Sequence, residues 1–128
     1  MIDTINLPFL DFIGAKLDSY EKGTSTVTLD IKNHHVQHLG MVHGGVISTL
    51  LDNTGWYTAM TVVEDSKTAV TTEIKINYLY PARGKSLQCV GEVIKAGRSS
   101  IFVKIELFDD ENKKLISYAT ASYAILEK

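Results

Sequence analysis

The stretch Gly44-Gly45-Val46-Ile47-Ser48-Thr49-Leu50-Leu51-Asp52-Asn53-Thr54-Gly55-Trp56-Tyr57-Thr58-Ala59-Met60-Thr61-Val62-Val63 decides the fold. From Val46 to Val63 it is apolar with few breakers. Val46, Ile47, Leu50, Leu51, Trp56, Ala59, Met60, Val62 and Val63 fall on most sides of a helical wheel. A helix that is apolar nearly all round is buried on most of its surface. The pattern therefore predicts one long buried helix over residues 46–63, with two glycines just before it.

The flanks supply what buries it. Upstream, Val27, Leu29 and Ile31 alternate with Thr26, Thr28 and Asp30, the period of a strand with one buried face. Before that, Leu7-Pro8-Phe9-Leu10-Asp11-Phe12-Ile13-Gly14 reads as a short helix, with Pro8 suited to its first turn and Gly14 to its end. Downstream, Val70, Ile74, Ile76, Tyr78 and Tyr80 alternate with Glu73, Lys75 and Asn77, and further strand patterns follow over 87–95, 101–108 and 115–125. Pro81-Ala82-Arg83-Gly84, Ala96-Gly97-Arg98 and Asp109-Asp110-Glu111-Asn112 read as the turns between them. The expected order is short helix, strand, long helix, then four strands. Strands joined by tight turns run antiparallel. The expected class is α+β, one antiparallel sheet wrapped around one helix. That is a thin core, so the outer surfaces and edges are expected to meet another copy.

Composition narrows the function. A chain of 128 residues suits a single domain, 1–128. A net charge of -2 leaves no basic excess with which to neutralise phosphates, so no nucleic-acid partner is expected. The single cysteine, Cys89, cannot form an internal disulfide and reads as a small core residue in a reducing, cytoplasmic setting. No apolar run is long enough to span a membrane and no signal peptide opens the chain, so no membrane partner is expected. His34, His35 and His38 cluster, but no Cys or acidic residue stands beside them at ligand spacing. Neither a metal nor another cofactor is expected.

The chemistry concentrates in Gln37-His38-Leu39-Gly40-Met41-Val42-His43-Gly44-Gly45 and in Asp52. The first N–H groups of a helix lack partners within it, and the helix dipole makes that end positive. Glycines there let an anion or a polarised carbonyl approach the backbone; they can equally serve only to turn the chain. Asp52 interrupts an apolar helix. A carboxylate in such a place must be paired, hydrogen-bonded or facing a cavity. It is either a structural Asp bonded to a neighbouring loop or a catalytic acid.

His43-Gly44-Gly45 followed by Asp52, nine positions after the histidine, resembles the HGG-x-x-x-x-x-x-[DE] signature of PaaI-like hotdog-fold acyl-CoA thioesterases. Thr71, Tyr78 and Pro81-Ala82 resemble the next strand and its end in that family, and Gly97-Arg98 resembles its later Gly-Arg turn. The resemblance spans nearly the whole chain and implies hydrolysis of an acyl-CoA to free acid and CoA. It makes Asp52 the general base or nucleophile and gives the Gly45 N–H the task of polarising the thioester carbonyl. Gln37 falls where the family carries Asn or Gln to hold the water or the carbonyl. Thr71 falls where some members position water, and His43 supports the loop and the thioester pocket. Gly44 and Asn53 are implied as substrate-contacting neighbours. Arg83, Lys85, Gly97 and Arg98 fall where CoA phosphates lie in the family, although solvated turn charges would read the same way. The acyl group is not legible.

One inference needs only geometry. Asp52 lies seven residues beyond Gly45, roughly 10 Å along a helix at 1.5 Å per residue. A carbonyl at the helix start and a nucleophile at Asp52 must converge to about 3 Å. One helix cannot satisfy both, whereas two antiparallel copies can, so a dimer, or a tetramer built of such dimers, is expected. The alternatives are a hotdog hydratase or dehydratase using His43 with Asp52, and a non-catalytic acyl-CoA-binding protein.

Overall fold

The computed structural model describes residues 2–111 and 113–128. Helix α1 (Pro8–Ile13) and strands β1 (Ala15–Glu21) and β2 (Thr24–Asp30) precede helix α2 (Gly44–Met60). Strands β3 (Lys67–Tyr78), β4 (Ser86–Ala96), β5 (Ser100–Asp109) and β6 (Leu115–Glu127) follow it. The strands form one sheet in the order β1-β2-β4-β5-β6-β3, and every neighbouring pair is antiparallel. The sheet packs one face on α2, which is the α+β arrangement expected. No helix is long and apolar enough to cross a membrane.

The short helix keeps its expected bounds. Pro8 opens α1, and Gly14 closes it at φ 85°, donating its N–H to Leu10 and Asp11. That left-handed conformation is one glycine adopts without steric cost. The long helix begins two residues earlier than expected and ends at Met60, so Gly44 and Gly45 form its first turn instead of preceding it.

The core lies between α2 and the inner face of the sheet. Leu50, Leu51 and Ala59 of the helix meet Val27, Leu29, Leu87, Cys89, Val103, Ile105 and Leu107 from the strands, all almost fully buried. Each Val, Leu or Ile so buried stabilises the fold by roughly 1.5–3 kcal/mol. Two glycines set how closely helix and sheet approach. A Cβ on Gly55 would run into the Tyr123 hydroxyl, and one on Gly91 would run into Thr58 Oγ1. Cys89 sits wholly inside this layer, and burial pushes its thiol up to about 12, so it is protonated near neutral pH. That is the core role read from the sequence.

Two features differ from expectation. Strand β1 was not foreseen. It is an edge strand whose residues are all exposed or half-buried, and a register shift between Leu17 and Ser19 breaks any alternation. Ala15, Leu17 and Tyr20 pack against the core only half-buried, and the shift after Leu17 leaves their alternation too short to read. The second is the segment Pro81-Ala82-Arg83-Gly84, which is not a hairpin turn. Strand β3 pairs with β6, while β4 pairs with β2 and β5. Residues 79–85 therefore carry the chain across the end of the sheet. Leu79 and Tyr80 donate to Ile116 O on the way, and Ala82 O accepts from Val42 N–H. The chain thus leaves β3 on an outer edge of the sheet.

Candidate active site

Asp52 stands on the side of α2 that faces β3, half-buried and not enclosed. Thr71 Oγ1 donates to Asp52 Oδ1 at 2.8 Å. The strand aims that hydroxyl through a bulge: Thr71 pairs with Tyr123 and Glu73 with Ser122, so the register slips between them. A bulge of this kind re-aims a side chain. Tyr123, from β6, donates its hydroxyl to the Asp52 carbonyl at 2.9 Å and lies 3.5 Å from Oδ1. Burial raises the pKa of the Tyr123 phenol, and the Asp52 charge adds to it, so the group stays a donor. Asp52 and Thr71 open onto a cleft of about 440 Å³ walled by Leu7, Phe9, Leu10, Trp56 and Val70.

The helix start is a second, separate group. His43 is the N-cap of α2, and its Nδ1 accepts the Gly45 N–H at 2.9 Å. The N–H expected to polarise a carbonyl therefore has an imidazole on it. Gln37 Oε1 accepts from Leu39 N–H at 2.6 Å, and Gln37 O accepts from Gly40 N–H at 2.9 Å. With its carbonyl oxygen engaged in its own loop, the group this side chain can offer a substrate is its NH2, a donor. Gln37, Gly44, Ile47 and Tyr78 line a shallow pocket of about 310 Å³ at this end of the helix. Tyr78 OH reaches Gly44 O at 3.4 Å.

His35, one of the clustered histidines, has both ring nitrogens engaged by backbone. Nδ1 accepts from Lys32 N–H at 2.8 Å, so Nε2 carries the proton and donates to Ile13 O at 2.6 Å. His35 O in turn accepts from His43 N–H. The residue ties α1 to the loop that delivers Gln37 and His43. Among the described residues no group of three His, Cys, Asp or Glu is arranged to hold a metal ion.

The sequence-derived residues thus fall into two groups. Asp52, Asn53 and Thr71 share one cleft, and Gln37 and Gly44 share another pocket, with His43 and Gly45 beside it at the helix start. The basic candidates divide as well. Arg83 and Lys85 precede β4, where their N–H groups donate to Asp109 and Asp110, whereas Gly97 and Arg98 follow it. About 33 Å of strand separates them at 3.3 Å per residue. A hollow of about 690 Å³ beside Asp30, Gln88, Phe108 and Asp110 lies at the opposite end of the strands from Thr71 and Tyr123. Sequence reading missed Tyr123, Tyr78 and His35 as site-building residues. In Tyr123 the available signal was a phenol on the inward period of an apolar strand, a position that calls for a hydrogen-bond acceptor.

A six-stranded antiparallel sheet around one long helix, with an HGG turn at the helix start and an acid two turns along, defines a hotdog-fold hydrolase. The model of the thioesterase superfamily matches residues 39–116, and the chain belongs to that family. Its HGG-to-Asp spacing is consistent with the PaaI-like type. An esterase-named protein of Saccharolobus solfataricus is 36% identical over 115 residues, covering 90% of this chain and 81% of its own. Acyl-coenzyme A thioesterase 13 of Homo sapiens is 28% identical over 102 residues, covering 79% and 72%. The crystal structure of a thioesterase family protein from Silicibacter pomeroyi superposes with a TM-score of 0.91 at 28% identity, covering 95% of this chain and 91% of that one. Membership assigns thioester hydrolysis as the general reaction.

Proposed function

We propose that the chain hydrolyses acyl-CoA thioesters at a site completed by two copies of itself, with Asp52 as general base. The observation that carries this reading is the Thr71–Asp52 hydrogen bond. Thr71 donates its only hydroxyl proton to Oδ1, which leaves its oxygen lone pairs to accept from a water. A water held there can give its second proton to the free Asp52 oxygen. Its oxygen then attacks the thioester carbon, the carboxylate takes the proton, and the C–S bond breaks to release CoA thiolate. Asp52 gives the proton it took to the thiolate, which leaves as free thiol and restores the carboxylate.

The helix start supports the other half of the reaction. The carbonyl oxygen, becoming an oxyanion, takes the place of His43 Nδ1 on the Gly45 N–H, and the Gln37 NH2 adds a second donor. Because both halves lie on α2 about 10 Å apart, the partner's helix start serves this chain's Asp52. Strand β3 favours that arrangement. It is a twelve-residue edge strand with Val70 and Tyr78 about half exposed. Such an edge offers a row of unpaired backbone groups to another strand. Arg83 and Lys85 before β4, and Gly97 and Arg98 after it, remain the candidates for holding the CoA phosphates. The relative named for acyl-coenzyme A supports CoA as the thiol.

The test is thiol release from a panel of acyl-CoAs by wild type and Asp52→Asn. The amide keeps the side chain's shape and removes the base. Hydrolysis should fall by about 10²-fold or more while the folded signal is retained. Near wild-type turnover by a folded Asp52→Asn protein would remove Asp52 from the chemistry.

A further inference from the structure

We infer that Glu73 and Lys75 set the register in which two copies of the chain pair through β3, each Glu73 facing the partner's Lys75 on either side of a two-fold axis at Ile74. This rests on the shared site proposed above and names what aligns its two halves.

The centre of β3 alternates between two faces. Ile74 and Ile76 pack on the core, while Glu73, Lys75 and Asn77 are exposed on the outer face of the sheet. Glu73 and Lys75 have no ion-pair partner among the described residues. Their neighbours on β6 are Ser122 and Thr120, which carry no charge. The other side of β3 is the open edge of the sheet. Two unpaired charges of opposite sign, two positions apart on one face of an edge strand, are self-complementary in an antiparallel pair.

Face and charge together select one register. Residues directly opposite in such a pair point to the same face, so a slip by one would put the partner's α2 on the wrong side of the sheet. With Ile74 opposite the partner's Ile74, each Glu73 stands opposite the partner's Lys75, and opposite charges so placed attract. A slip by two residues one way sets Lys75 against the partner's Lys75, and the other way sets Glu73 against the partner's Glu73. Like charges directly opposite are destabilising.

The register fixed by charge also serves the chemistry. Thr71 lies three residues before Ile74 and Tyr78 four after it, so Thr71 and the partner's Tyr78 fall within two residues of each other, even with the bulge counted. That is at most about 7 Å along the strands. Thr71 is bonded to Asp52, and Tyr78 reaches Gly44 O at the helix start of its own chain. The pairing therefore brings Asp52 of one chain beside the helix start of the other.

The experiment measures self-association by analytical ultracentrifugation over a dilution series, with thiol release followed at each concentration. Wild type is compared with Glu73→Lys, Lys75→Glu and the double variant. Wild type and the double variant should dimerise alike. Each single variant sets like charges opposite each other twice, and should raise the dimer Kd by about tenfold or more at low salt and by less at high salt. The two single variants, distinctly tagged and mixed, should form a tight mixed dimer and regain activity, because the lysines of Glu73→Lys then face the acids of Lys75→Glu. If a single variant does not fold alone, co-expression of the two supplies the mixed dimer. Single variants that dimerise as tightly as wild type, or a mixture no tighter than its parents, overturn the register and leave the shared site standing. A wild type that is monomeric at concentrations where it releases thiol overturns both. A dimer that follows the charge pattern but hydrolyses no acyl-CoA supports the register and overturns the proposed hydrolysis.

Discussion

Thr71 and Asp52 are joined by a single hydroxyl proton, and that proton defines what each can do. While Thr71 donates to Oδ1, its oxygen can only accept, which suits it to holding water. Thr71→Val keeps the branched shape and removes the hydroxyl. It should lower kcat by about 10- to 100-fold with little change in KM, and Thr71→Ser should restore most of the loss. Steady-state thiol release with saturation curves for all three proteins checks this. Equal losses in Thr71→Val and Thr71→Ser would mean that the methyl, not the hydroxyl, matters. Asp52 and His43 were legible in the sequence because an acid inside an apolar helix and a histidine before two glycines break a pattern. Tyr123 and His35 were not, since a phenol on a strand and a histidine in a loop break none. Their roles come from partners distant in sequence, the Asp52 carbonyl for Tyr123 and the Ile13 carbonyl for His35.

At the scale of elements, α2 lies close to the sheet at two glycines, one on the helix and one on β4. Gly55→Ala gains about 1 kcal/mol of helix propensity. It also drives a methyl into the Tyr123 hydroxyl, whose bond to the Asp52 carbonyl then has to shift. Overpacking typically costs about 1–3 kcal/mol, so the net effect should be destabilising. Thermal unfolding of Gly55→Ala should show a lowered midpoint. Gly55→Ala combined with Tyr123→Phe, which takes away the obstructing oxygen, should recover part of the shift. A raised midpoint in Gly55→Ala alone would show that the helix can move off the sheet without cost. Strand β2 was legible through a buried face, with Ser25, Val27 and Leu29 buried in alternation, whereas β3 was legible from apolar alternation alone, since Ala69 is its one buried residue and Val70 and Tyr78 are exposed. Strand β1, with Ala15, Leu17 and Tyr20 only half-buried and a register shift among them, gave too short a period, and the place of β3 beside β6 could not be read from local turns, because it is set by long-range pairing.

For the whole molecule, the two halves of the site lie on one helix and face different surroundings, and this makes the shared-site proposal testable by mixing. Asp52→Ala and Gln37→Ala should each be close to inactive alone. In a mixed dimer one site carries both defects and the other carries neither. Random reassortment at equal amounts makes about half the dimers mixed, so about a quarter of the wild-type activity should return. The measurement is thiol release after co-expression, with mixed dimers confirmed by distinct tags. Confirmed mixed dimers that recover nothing above the parents would place each site within one chain.

The long β3 edge has a further consequence. An active centre completed across that edge exists only as long as two chains are together, so turnover per chain becomes a function of dilution. Below the dissociation constant of the pair, halving the protein concentration removes more than half of the activity, because both the number of chains and the fraction assembled fall. A cell that makes little of this protein would then hold chains that are folded and yet catalytically silent, and a modest rise in synthesis would switch on hydrolysis more steeply than in proportion.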